Sequence, residues 1–153
     1  MKRYAILGIT CLLLTPTLPV FAQTANKFDA IALVDKAVAD IEKKGVDEAC
    51  KEFADPKSGN IQGDLYVFVL DSKMTMVCDA FTPKMNGKDM SLLKDANGKK
   101  FVQEMRDMVQ SRRSGWVDYV WTNPATKMLE GKTSYVRLAS NKYTVGAGIY
   151  KTK

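Results

Sequence analysis

Histidine is absent from all 153 positions. Its absence removes the commonest general base and the commonest metal ligand together. No glycine-rich phosphate loop, nucleophile elbow or Cys/His cluster is present, so phosphoryl transfer and nucleophilic catalysis have no motif to rest on. The regular oxygen-ligand spacing of a calcium loop is missing as well. Carboxylates do occur, but Asp47-Glu48 and Glu104 with Asp107 read as solvated helix faces rather than an acid–base pair. The expectation is a protein that is not an enzyme and needs no metal and no cofactor. Cysteine is scarce, with three in the chain. Cys11 lies in an N-terminal apolar run, and two cysteines cannot build a four-ligand zinc framework. Cys50 and Cys78 are a candidate disulfide in an oxidising compartment; two buried free thiols is the competing reading. Basic residues do not cluster: Lys43-Lys44, Lys99-Lys100 and Arg112-Arg113 are pairs, not a stripe. That argues against nucleic acid as a partner.

The N-terminus carries the three parts of an export signal. Lys2 and Arg3 are the positive start, Ala5 to Leu14 is the apolar stretch, and Val20-Phe21-Ala22 follows two helix-breaking prolines. The apolar stretch is shorter than the roughly 20 residues of a membrane-spanning helix. No second run of that length follows. The expected organisation is a signal peptide over residues 1–22, cleaved near Ala22, and one domain over 23–153, periplasmic or secreted and without a membrane anchor. The 131 residues that remain suffice for one core without staples.

Along that domain the hydrophobic period changes from helical to alternating. Ile31, Val34, Val38 and Ile41 mark an amphipathic helix over Lys27 to Lys44, closed by Gly45. Val46 to Phe53 suggests a second, short helix. Leu65-Tyr66-Val67-Phe68-Val69-Leu70 reads as a strand buried on both faces, paired through a turn with a strand over Met74 to Ala80. A crossing segment over Thr82 to Asp95 leads to a helix with Phe101, Val102, Met105 and Val109 on one face, ended by Gly115. Strands then follow over Trp116 to Trp121, Thr133 to Leu138 and Tyr143 to Tyr150. The fold class is α+β, a five-stranded antiparallel sheet with the long N-terminal helix on one face and a loop-and-helix roof on the other. Such a roof encloses space, so the site is expected beneath it.

The densest chemical signal is Gly115 to Pro124, which holds Trp116, Tyr119 and Trp121. Alternation on a strand sends Tyr119 and Trp121 to one face and Trp116 and Asp118 to the other. These aromatics either wall a ligand or fill the core. Tyr135 on the neighbouring strand can reach the same space. Lys132, just before it, either supplies a cation for a carboxylate or is a solvated turn lysine. Gly146 and Gly148 share one face of the last strand, where a helix packing closely across the sheet would require them.

Read in order, Gly63 to Asp71, Gly87-Lys88-Asp89, Asp95 to Lys99 with Phe101-Val102, Gly115 to Tyr119 with Trp121 to Pro124, Lys132 to Val136 and Val145 to Tyr150 resemble the single Cache domain family, in particular exported standalone members of its type 2 group. The resemblance covers nearly all of the domain. It implies a PAS-like sheet behind a long helix and an extracytoplasmic sensing role. It also implies a small organic acid, amino acid or amine held between sheet and roof. Carried onto this chain it points to Trp116, Tyr119, Trp121 and Tyr135 as ligand contacts, with Phe81, Met90 and Met105 at the roof or wall. Two departures stand out. Many relatives have a histidine on the second strand where this chain is read to have Cys78, and the turn Ser72-Lys73 lacks an expected glycine. With no signalling domain of its own, such a protein needs a membrane receptor or kinase as partner. The alternative is a non-catalytic interaction subunit of an envelope receptor or transporter.

Overall fold

A computed structural model describes residues 25–151; the expected signal peptide lies outside them. Helix α1 spans Lys27–Lys44 and begins at a capping box. Asn26 Oδ1 accepts from the amides of Phe28 and Asp29, and the Asp29 carboxylate accepts from the Asn26 amide at 2.8 Å. Gly45 closes it with φ 84°, and α2, Val46–Phe53, starts at once. The apolar stripe Ala30, Leu33, Val34, Ala37, Val38 and Ile41 is buried against the sheet.

The strands are β1 (Ile61–Gln62), β2 (Leu65–Leu70), β3 (Met76–Asp79), β4 (Ser114–Thr122), β5 (Leu129–Ala139) and β6 (Tyr143–Tyr150). The five longer ones form an antiparallel sheet in the order β3-β2-β6-β5-β4, the expected five-stranded layer; β1 is an unforeseen two-residue addition that pairs with β2. Strand β2 is buried along its whole length, as its unbroken apolar run predicts. Leu65, Val67 and Val69 join the core under α1, while Phe68 and Leu70 join a second core on the opposite face.

That second core is roofed by residues 82–100 and by α3, Phe101–Arg112. The roof is fastened at both ends. Met76 and Met90 amides bond to the carbonyls of Lys88 and Met74, at 2.9 and 3.0 Å. At the far end Asp95 accepts through one oxygen from the amides of Asn97 and Lys99, and through the other from the Val120 amide of β4 at 2.9 Å. Beside it the Lys99 ammonium donates to the Asp118 carbonyl, again on β4.

Three local expectations are corrected, and the candidate disulfide is present. The end of α3 is Arg113, which takes the left-handed conformation itself (φ 65°), whereas Gly115 lies in β4 beneath the Met108 side chain. The second strand begins at Met76, not Met74, because Met74 occupies the left-handed position of the turn (φ 64°) that a glycine was expected to fill. Gly146 and Gly148 are not crossed by a helix. A Cβ on Gly146 would meet the Phe68 ring, and one on Gly148 would meet Ser134 Oγ, Lys132 Cε and the Thr133 carbonyl. Cys50 and Cys78 are joined in a disulfide with their Cα atoms 5.9 Å apart, tying α2 to β3. The Cys78 side chain therefore belongs to the α1–α2 face of the sheet.

Candidate functional site

Between the sheet and the roof lies a cavity of about 30 Å³, bordered by Tyr66, Asp79, Met90, Met105, Tyr119 and Trp121 among others. That space suits a water molecule or two. Directly outside it is a vestibule of about 310 Å³ whose walls include Phe81, Thr82, Pro124 and Lys127. Tyr66 and Trp121 border both spaces and so form the partition between them.

The aromatic wall is built by alternation along β4. Tyr119 and Trp121 share the roof side, and Phe101 of α3 stacks on Tyr119 with ring centroids 4.3 Å apart and planes 4° from parallel. Trp121 meets both rings edge-on, at 5.5 and 6.2 Å. The buried Tyr119 hydroxyl shares a hydrogen bond of 2.9 Å with Ser134 Oγ of β5. Burial pushes the Tyr119 and Tyr66 phenols well above their ordinary values.

Lys132 is 1% exposed in the middle of β5. Its ammonium lies 4.0 Å from the Tyr66 ring centroid and 4.8 Å from that of Tyr150. Gly148 allows this. It pairs with Ser134 on the adjacent strand, and its missing Cβ leaves the path along which the Lys132 chain runs. Burial pulls Lys132 down to about 7, against the opposing charges of Asp79 and Asp64. Asp79 is 6% exposed. Its Oδ1 accepts from the Phe81 and Thr82 amides at 2.9 and 2.6 Å, and its own amide donates to Asn86 Oδ1 at 2.9 Å. Burial raises its carboxyl, opposed by the Thr82 amide and by Lys132.

The residues expected at the site divide into two groups. Tyr119, Trp121, Met90 and Met105 line the cavity, Phe81 lines the vestibule, and Lys132 sits beneath Tyr66. Trp116 and Tyr135 do not join them. Their rings pack together on the α1 side, 5.4 Å apart, with the Lys27 ammonium over Trp116. The reason is parity: Trp116 is an odd number of residues from Trp121 on one strand. Lys132 is no turn lysine, because β5 starts at Leu129, four residues earlier than the sequence suggests. Tyr66 and Asp79 were missed. Tyr66 was legible as a roof-side residue of β2, but only the fold could select it. Asp79 and Met76, not Cys78, are the β3 residues that border the cavity.

The buried ammonium has a measurable consequence. Between pH 7 and pH 9 an unfolded chain, with its lysine at the ordinary 10.5, holds a proton that folded Lys132 has released. Stability then rises with pH by about 2 kcal/mol across that window, and the burial cost is felt in full below it. Denaturant unfolding at the two pH values is expected to show the rise in the natural protein and its loss in Lys132→Met. A flat profile in the natural protein would contradict a buried ammonium.

A family model described as Cache domain matches residues 29–153. The methyl-accepting chemotaxis protein McpP of Pseudomonas putida is 28% identical over 88 residues, which is 57% of this chain. The match spans 16% of that curated relative's length. A solved Cache chemosensory domain, described by its recognition of carboxylic acid, superposes with a TM-score of 0.70 at 25% identity, covering 82% of this chain and 92% of that one. The solved periplasmic sensor domain of a chemotaxis protein superposes with a TM-score of 0.64 at 29% identity, covering 80% and 88% of the two chains. Among the described residues no helix is long and apolar enough to cross a membrane.

Proposed function

The chain belongs to the Cache domain family, and from that premise we propose that it is an exported, non-catalytic sensory domain that binds a small organic acid, amino acid or amine between sheet and roof. One observation carries the reading: a buried aspartate borders an otherwise apolar, aromatic cavity, and a buried lysine lies directly behind Tyr66, one of the rings in its wall. Burying two charges costs several kcal/mol and gives the fold little in return. Charged groups placed so are suited to meet a polar ligand. Lys132 receives the ligand's carboxylate, Tyr119 and Trp121 form its wall, and Met90 and Met105 close the roof. The cavity alone is too small for such a ligand. Rotation of the Tyr66 ring merges it with the vestibule and uncovers the Lys132 ammonium. The likeness to a domain described as recognising carboxylic acid supports the same chemistry. Export directed by residues 1–22 places the protein in the periplasm, where a membrane receptor or kinase reads the ligand-dependent state.

Thermal unfolding of the purified protein against small carboxylates, amino acids and amines tests this. A true ligand at a hundredfold its Kd adds about 2.7 kcal/mol, or roughly 8–10 °C in Tm. Trp121→Ala is expected to weaken binding at least tenfold, while Trp116→Ala leaves it within about twofold, since a lost aromatic contact is worth about 1 kcal/mol or more only where the ring meets ligand. Equal losses in the two variants would sink the site assignment, and a flat panel would sink the function.

A further inference from the structure

Asp79 places a carboxylate in the wall of the cavity. It has no freedom to swing away. Its Oδ1 is held by two backbone amides, and its main chain is held by Asn86. A simple carboxylic acid entering here brings a second negative charge beside the first, and Lys132, the buried cation behind Tyr66, must serve both, since Lys127 stands farther out on the vestibule wall. A ligand that carries its own ammonium resolves the conflict. Its carboxylate turns to Lys132 and its ammonium to Asp79. Tyr66, Tyr119 and Trp121 border the same space, and aromatic rings attract a cation.

On the footing that this cavity is the ligand site, we propose that Asp79 is a specificity-determining residue and that the ligand is a small zwitterionic α-amino acid rather than a simple carboxylic acid. The neighbouring Cys78 side chain is committed to the disulfide on the other face; of the two β3 residues that border this space, Met76 and Asp79, only Asp79 can carry a charge.

Calorimetric titration of the purified protein with matched pairs decides the matter: L-alanine against propionate, and glycine against acetate. The natural protein is expected to bind each amino acid at least tenfold more tightly than its partner lacking the amine. Asp79→Asn, which keeps the oxygen that accepts from Phe81 and Thr82, is expected to lose tenfold or more for the amino acids and to gain for the acids. Tighter binding of the acids by the natural protein overturns the proposal and leaves the ligand-site reading intact. That result would mean Asp79 is protonated and donates to the ligand's carboxylate. Binding of neither series overturns both. Should Asp79→Asn fail to fold, the ratio measured on the natural protein still decides.

Discussion

Reduction of the Cys50–Cys78 bridge is expected to lower stability by about 3–4 kcal/mol, or roughly 10 °C in Tm. The bridge closes a loop with a sequence separation of 28 residues. Opening it returns to the unfolded chain the freedom that the cross-link removed. The loop contains the end of α2, all of β1 and β2 and most of β3, which makes it the segment that brings the cavity's β2–β3 wall together. Both cysteines line a groove of about 420 Å³ on the surface, so a small thiol reductant has a path to them. Scanning calorimetry of oxidised and reduced protein, with Cys50→Ala/Cys78→Ala as the reductant-independent control, gives the number. A loss below about 1 kcal/mol would mean that β3 is held by its pairing with β2 alone.

Gly148→Val is expected to cost about 3 kcal/mol, at the upper end of the overpacking range. A Cβ at this position lies 2.8 Å from the Thr133 carbonyl oxygen, a backbone atom that cannot move without disturbing the β5–β6 pairing. It also lies 2.8 Å from Lys132 Cε. The substitution therefore does two things at once: it strains the sheet and drives the lysine from its channel toward Tyr66. Denaturant unfolding reads the first effect, and ligand affinity reads the second. Gly146→Ala is the comparison. There the obstacle is the tip of the Phe68 ring, a side chain that can turn aside. Similar losses in stability at the two positions, with ligand binding untouched in both, would mean that the path of Lys132 does not depend on Gly148.

These positions mark where sequence reading stops. Helix α1 was legible to the residue, because its apolar period, its closing lysines and Gly45 are all local. The run Leu65–Leu70 could only be a strand covered on both sides, and it is. The pairing of glycines on β6 was legible too, as a demand for close approach, but not what approaches. A lysine threading between strands is invisible in Gly131-Lys132-Thr133-Ser134, a polar run with the composition of a turn. It becomes a core residue only because Gly148, sixteen positions later on the neighbouring strand, has no Cβ to block the path of its chain. The misplacement of Trp116 has a different origin. Strand parity already separated it from Trp121, and the density of aromatics between Gly115 and Pro124 outweighed that signal. Asp79 was hidden for a third reason. A shift of one residue along β3 exchanges the disulfide face for the cavity face, and the sequence does not specify the register of so short a strand.

The clamp made by Asp95 has a meaning apart from any ligand. Strand β4 is the last of the sheet, and its outer side would otherwise offer free amides and carbonyls to any passing chain. With the Val120 amide taken by Asp95 and the Asp118 carbonyl by Lys99, the regular row of groups in the middle of that side is interrupted. Two charged side chains of the roof thus keep a concentrated population of these molecules from zipping edge to edge into aggregates.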